Sequence, residues 1–270
     1  MAEVLFHVAD DFFVPTPLAG SPWHPSVLHG GAPAGLIAYC LQRQVADPDM
    51  VPARLSIDLL RPVPCAPLQV KIQPVRQGKR IVLLQADLLA GENLVARATG
   101  LFVRAEAIAL PDTAPRYTHS LPSPQGIDTV SFRDVMFGNF GNMPPGLHTT
   151  VQLRPASELD ESGKGSAWIA LPVPILEGEK NSPFMLAALV SDFGNGVGQL
   201  NLGQNIGTIN ADVQLQLGRL PVGEWIGLES EALLDTTGVG QVLTVMHDEQ
   251  GRVGQVSQTI MPMTGFGGTN

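Results

Sequence analysis

Asp192 is the side chain in this sequence best placed to do chemistry. In FMLAALVSDFGNG it follows Met185, Ala188 and Leu189 at helical spacing, which sets a carboxylate on a face that should be buried. A buried carboxylate needs polar partners, and burial that outweighs them raises its pKa toward the range of a general base acting on water. We therefore expect a raised pKa at Asp192. The competing structural role is a cap that accepts backbone N–H groups from the glycine loop GNGVGQ behind it.

Other candidates surround this one. Gln258 lies in the apolar run VGQVSQTIMP, where it is either a satisfied core amide or a donor to a site. Thr208 and Asn210 stand two apart in TINADVQLQL and so share one face of an extended strand, although Asn210 alone suits a turn or an edge equally well. Gly30 and Gly31 in LHGGAPAGLIAYCLQRQ precede a helical apolar pattern. Free N–H groups at such a helix start can hold a developing oxyanion, or the glycines can simply permit close packing. His29 before them either touches a ligand or lies in solvent. Arg76, Lys79 and Arg80 flank a hairpin, to meet phosphates or to solvate a turn.

Several chemistries lack their pattern. The six histidines show no metal-ligand spacing, and Cys40 and Cys65 form neither a zinc motif nor a disulfide framework. We expect no metal. No serine sits in G-x-S-x-G, and GNGVGQ is not the spaced dinucleotide fingerprint.

The elements that would carry these residues come in two series. After the first helix, RLSIDLL, PLQVKIQPVRQ, IVLLQADLLA and NLVARATGLFVR read as an antiparallel meander separated by turn signals. A Pro- and Ser-rich stretch at 106–127 follows, and then the series recurs: a helix in FMLAALVSDFGNG, then strands in TINADVQLQL, GEWIGLESEALLD, GQVLTVMHD and VGQVSQTIMP. Arg61, Gly78 and Gly91 find Arg219, Gly238 and Gly251 about 160 residues later, which points to a duplication fused into a pseudo-dimer with sheets joined edge to edge. The expected domains are residues 1–105, a connector at 106–127, and residues 128–270.

Composition narrows the partners. A formal charge of -9 argues against nucleic acid or an anionic membrane, because either needs a basic face. No run approaches the ~18 apolar residues of a membrane span, and the start has no signal-peptide pattern, so a cytoplasmic location is expected.

Six segments carry a resemblance: LHGGAPAG, IDLLRPVP and QGKRIVLLQADLLAGENLVARATGLF in the first half, and ALVSDFGNGVG, INADVQLQLGRLPVGEWIGLES and DEQGRVGQVSQTI in the second. Their order and spacing resemble thioesterase II-like acyl-coenzyme A thioesterases over most of the chain apart from the connector and residues 128–180. The resemblance implies an α+β double-hotdog fold, two repeats each with a long central helix wrapped by an antiparallel β-sheet. It implies hydrolysis of acyl-CoA thioesters by water without a covalent intermediate, no cofactor beyond the coenzyme A of the substrate, and a homo-oligomer. The water-holding positions it transfers are Asp192, Asn210 and Gln258. Asn210 stands where serine or threonine is usual, and Thr208 could supply the hydroxyl. His29, Gly30, Gly31, Arg76 and Arg80 are the expected substrate-binding residues, with the first helix start facing Asp192 across the repeat interface. Related hydratases place a histidine five residues after the aspartate, where this chain has Val197. A non-catalytic acyl-binding module is the alternative that the asparagine keeps open.

Overall fold

Runs rich in Val, Ile and Leu, separated by turns, give this chain a large antiparallel sheet. The computed structural model describes residues 3–114, 121–132, 135, 144–203 and 206–264. A short hairpin of β1 (Phe6–Ala9) and β2 (Phe12–Pro15) precedes helix α1 (Gly31–Arg43) and the strands β3 (Met50–Leu59), β4 (Leu68–Gln77), β5 (Ile81–Ala90) and β6 (Asn93–Arg104). Next come α2 (Leu147–Thr150), β7 (Gln152–Pro155), β8 (Lys164–Ala170), α3 (Pro183–Ser191) and α4 (Gly194–Val197). The last strands are β9 (Ile206–Asn210), β10 (Asp212–Leu217), β11 (Ile226–Leu234), β12 (Gly240–Asp248) and β13 (Gly251–Thr264).

These strands make one sheet in the order β1-β2-β4-β5-β6-β3-β10-β13-β12-β11-β8-β7, with β9 on the far end of β13. The order is symmetric about its middle: β3 answers to β10, β6 to β13, β5 to β12 and β4 to β11. The halves join where β3 runs antiparallel to β10, Ile57 opposite Val213 and Leu55 opposite Leu215. Arg61 and Arg219 are equivalent in place, since their main-chain N–H groups donate to the Val95 and Val253 carbonyls.

Alternation decides which face is covered. Val213, Leu215 and Leu217 of β10 turn inward while Gln214 and Gln216 face out, and β11 repeats the pattern with Leu228, Ser230 and Ala232 against Glu229, Glu231 and Leu233. The inner face covers α1 and α3, whose Leu36, Ile37, Leu41 and Phe184 are almost wholly buried, each stabilising by roughly 1.5–3 kcal/mol. The two helices also pack on each other. A Cβ on Gly31 would stand 2.6 Å from the Leu189 carbonyl oxygen, so only glycine permits that approach. At the sheet edge, the Phe6 N–H donates to the Ile175 carbonyl at 2.9 Å and the Glu177 N–H to the Phe6 carbonyl at 3.1 Å, which covers β1.

The expected long central helices are shorter than the resemblance implies: α1 has 13 residues and α3 only 9. Ser182 caps α3, its hydroxyl accepting the Met185 N–H at 3.2 Å, and Pro183 suits the first turn. The helix ends at Ser191 because Gly194 and Gly196 follow, poor helix formers that let the chain turn. GNGVGQ is accordingly not a plain loop, for Gly194–Val197 forms the separate turn α4. No helix among the described residues is long and apolar enough to cross a membrane.

One buried ion pair locks the second half. The Asp248 carboxylate accepts both terminal nitrogens of Arg219 and the N–H groups of Val222 and Gln250, the last two at 2.8 Å. Burial pushes its pKa up, but the guanidinium and the backbone donors outweigh that and hold it below the usual aspartate value. A depressed folded pKa means the contribution is present above the ordinary aspartate range and is lost as pH falls through the folded value. Asp248→Ala should lower stability by roughly 1–3 kcal/mol at neutral pH, read from urea unfolding midpoints, and the gap to wild type should narrow on acidification.

Candidate active site

At the seam of the two halves lies a cavity of about 670 Å³ whose wall draws on both. Leu59, the last residue of β3, donates its N–H to the Ala211 carbonyl at 2.9 Å, so the end of β3 and the β9–β10 junction lie side by side. His29 and Gly30, at the start of α1, face Asp192 at the end of α3.

Asp192 is 6% exposed and lies on this wall. Its Oδ2 is 2.9 Å from His29 Nδ1, and its Oδ1 accepts Asn210 Nδ2 at 2.8 Å. An N···O approach that short requires a proton between the atoms, so Nδ1 is the donor. The Gly31 N–H lies 3.2 Å from Nδ1 and also reaches the carboxylate, the stronger acceptor. The raised pKa expected from burial is therefore wrong in sign. Burial does push the group up, but the bond from His29, the Asn210 amide and the Gly31 N–H together hold it below the usual aspartate range. Nor is Asp192 a cap for the turn behind it, since these partners come from other segments.

The two amides serve Asp192 differently. Asn210 lines the cavity, and its Oδ1 is buried with no acceptor bond among the described residues. Gln258 is 2% exposed and donates Nε2 to the Asp192 main-chain carbonyl at 3.3 Å, behind the cavity wall. It therefore meets the backbone of Asp192, whereas the resemblance has it hold the water. Thr208 lines the cavity on the face it shares with Asn210, and its hydroxyl donates to Asn195 Oδ1 at 2.7 Å.

Gly30 and Gly31 divide the two roles open to them. Gly30 lines the cavity, and its N–H has no protein acceptor among the described residues. Gly31 packs against α3 and commits its N–H to the His29–Asp192 pair.

Arg76 and Arg80 are not brought to the cavity. The Arg80 carbonyl accepts the Arg104 N–H, and Arg104 pairs with Met50, the end of β3 remote from Leu59 by about 30 Å of strand. The arginine on the wall is Arg61, exposed at its rim. The signal for it lies in the comparison of the halves: Asp248 pins Arg219, but Ala90 closes the equivalent hairpin, so the twin has no carboxylate. The His29–Asp192 pair joins distant segments and has no local signature. It also supplies Asp192 with the imidazole that Val197 denies it. Neither cysteine lines the cavity, and burial pushes the Cys40 thiol up to about 12. Among the described residues no cluster of His, Cys, Asp or Glu could hold a metal ion.

Family models match both halves: the acyl-CoA thioesterase N-terminal domain over residues 19–103 and the C-terminal domain over residues 121–261. The chain belongs to the acyl-CoA thioesterase family. Solved structures agree on the fold of this thioesterase. A thioesterase II candidate from Thermobifida fusca YX superposes with a TM-score of 0.70 at 13% identity, covering 97% of this chain and 96% of that one. The tesB protein of Mycobacterium avium subsp. paratuberculosis gives 0.66 at 14% identity over 95% and 94% of the two chains. A protein of unknown function with a hot dog fold from Alicyclobacillus acidocaldarius gives 0.67 at 14% identity over 96% of each. No curated protein matches the thioesterase in sequence.

The glycines give a test of this division of roles. A Cβ on Gly30 would stand 2.8 Å from Asp192 Oδ2, a side-chain atom, whereas on Gly31 it meets backbone. Gly30→Ala should fold with a near-native melting temperature and lose activity at least tenfold as the carboxylate is displaced. Gly31→Ala should lower the melting temperature itself.

Proposed function

We propose that this thioesterase hydrolyses acyl-CoA by direct attack of water on the thioester carbonyl, with no covalent intermediate. The observation that carries the reading is the Asp192 carboxylate, ionised, buried and on the wall of a cavity of about 670 Å³. It supplies the negative charge against which a water loses its proton. The spare Oδ1 of Asn210 is an acceptor for one O–H of that water, which makes the asparagine a working replacement for a hydroxyl residue. Gln258 fixes the Asp192 backbone, and Thr208 holds Asn195 on the wall beside them.

The thioester oxygen gains charge in the transition state, and the unpaired Gly30 N–H at the start of α1 is the donor for it. Leu60, Ile209 and Met261 give the acyl chain an apolar wall. Arg61 at the rim meets a coenzyme A phosphate, a role for which Arg76 and Arg80 are too remote in this chain. Coenzyme A arrives with the substrate, so the reaction as proposed calls for no further cofactor. The same reading takes residues 1–105 and 128–270 as the two hotdog repeats, joined by the connector 106–127, and places the protein in the cytoplasm as a homo-oligomer. The symmetric strand order supports the repeats.

Purified protein incubated with a panel of acyl-CoA esters and a thiol reagent should release coenzyme A, and Asp192→Asn should cut that release by roughly a hundredfold or more. Binding without release would instead favour an acyl-binding module. Arg61→Ala should raise KM for acyl-CoA several-fold with kcat little changed, and should leave the KM of a short acyl-pantetheine substrate, which lacks the nucleotide phosphates, unmoved. A fall in kcat with KM constant would refute the rim role.

A further inference from the structure

The geometry points to His29 as the general base of the reaction, with Asp192 as the residue that orients it. This inference rests on the hydrolytic reading above and assigns the proton-accepting atom within it. Nδ1 of His29 is taken by Asp192 Oδ2 at 2.9 Å, and one ring face stacks on Phe193 with centroids 4.5 Å apart. The ring is therefore fixed in both tautomer and plane. What remains is Nε2, which has no protein partner among the described residues and is reached through the cavity that His29 lines. An imidazole with a carboxylate on Nδ1–H and a bare Nε2 turned to the substrate is the arrangement that accepts a proton from a nucleophile.

Asp192 suits the orienting role better than the accepting one. Its two oxygens already accept His29, Asn210 and Gly31, so a proton on the carboxylate would weaken three bonds made to its charged form. A proton on Nε2 breaks none and creates an imidazolium beside a fixed negative charge. The other titratable or charged side chains on the wall are His24, His148 and Arg61, and no second carboxylate stands among the described lining residues.

The step balances as follows. Water adds its oxygen to the thioester carbon while one of its protons passes to Nε2, and the carbonyl electron pair moves to oxygen. The tetrahedral intermediate then expels the coenzyme A sulfur with the C–S electron pair, and the imidazolium returns the proton to that sulfur. Carboxylic acid and thiol leave, and His29 is neutral again.

His29→Asn separates a base from a positioning group. The asparagine Nδ2 lies near the place of Nδ1 and can still donate to Asp192, but nothing replaces Nε2. If His29 is the base, His29→Asn should lose roughly a hundredfold or more in kcat with KM kept, and added imidazole should restore part of the activity of His29→Ala. Restored activity also proves that the alanine variant is folded. If His29→Asn stays within about threefold of wild type, or imidazole fails to lift His29→Ala, the assignment is overturned while wild-type hydrolysis stands. If wild type releases no thiol from any acyl-CoA ester, the hydrolytic reading falls and this inference with it.

Discussion

A carboxylate stays ionised inside this protein because N–H donors reach it from three separate places: the loop before α1, the first residue of α1, and the strand after α4. Desolvation alone would favour the neutral acid, so the charge exists only while the two halves hold these donors in register. That requirement explains the closeness of α1 to α3. Gly31 lets the helix backbone approach the Leu189 carbonyl, and Gly30 leaves room for both carboxylate oxygens. The seam between β3 and β10 sets the same distance from the sheet side.

The strand order is symmetric between the two halves, and the site lies where the halves differ. The equivalent positions Arg61 and Arg219 show how. Arg219 is bound on two nitrogens by Asp248, which closes the β12–β13 hairpin, whereas the first half has Ala90 where the carboxylate would stand. The cation is paired in one half, while at the mouth of the cavity in the other its equivalent has no ion-pair partner among the described residues. The carboxylate on the cavity wall is likewise the one among the described lining residues, contributed by the second half and held by donors from both.

The strands were legible because each long one is a run rich in Val, Ile and Leu that ends at a turn signal, as IVLLQADLLA does before Gly91. The four-residue strands β1 and β7 are too short to show a period, and β8 ends in the unbroken apolar run AWIA, so sheet edges escaped notice. Asp192, Asn210 and Gln258 do meet, yet the polarity of their meeting was not readable. The sign of the Asp192 shift depends on how many donors arrive from elsewhere in the chain, and helical spacing reports only the apolar side. Arg76 and Arg80 fail for a related reason: a hairpin carries its charges to whichever end of the sheet it closes, and sequence does not say which end holds the cavity.

The asparagine at 210 follows from the same electrostatics. A serine or threonine hydroxyl there could give one proton to the carboxylate and keep only its own oxygen for a water. The amide gives Nδ2–H groups to both Oδ1 and the main-chain carbonyl of Asp192, and still has Oδ1 unused. It thus clamps the residue at two points and separates the donor atom from the acceptor atom. A carboxylate so clamped is a poor proton acceptor but a steady source of negative charge, which is what an adjacent imidazole requires in order to become one. An amide at 210 is therefore consistent with the role proposed for the ring beside Asp192.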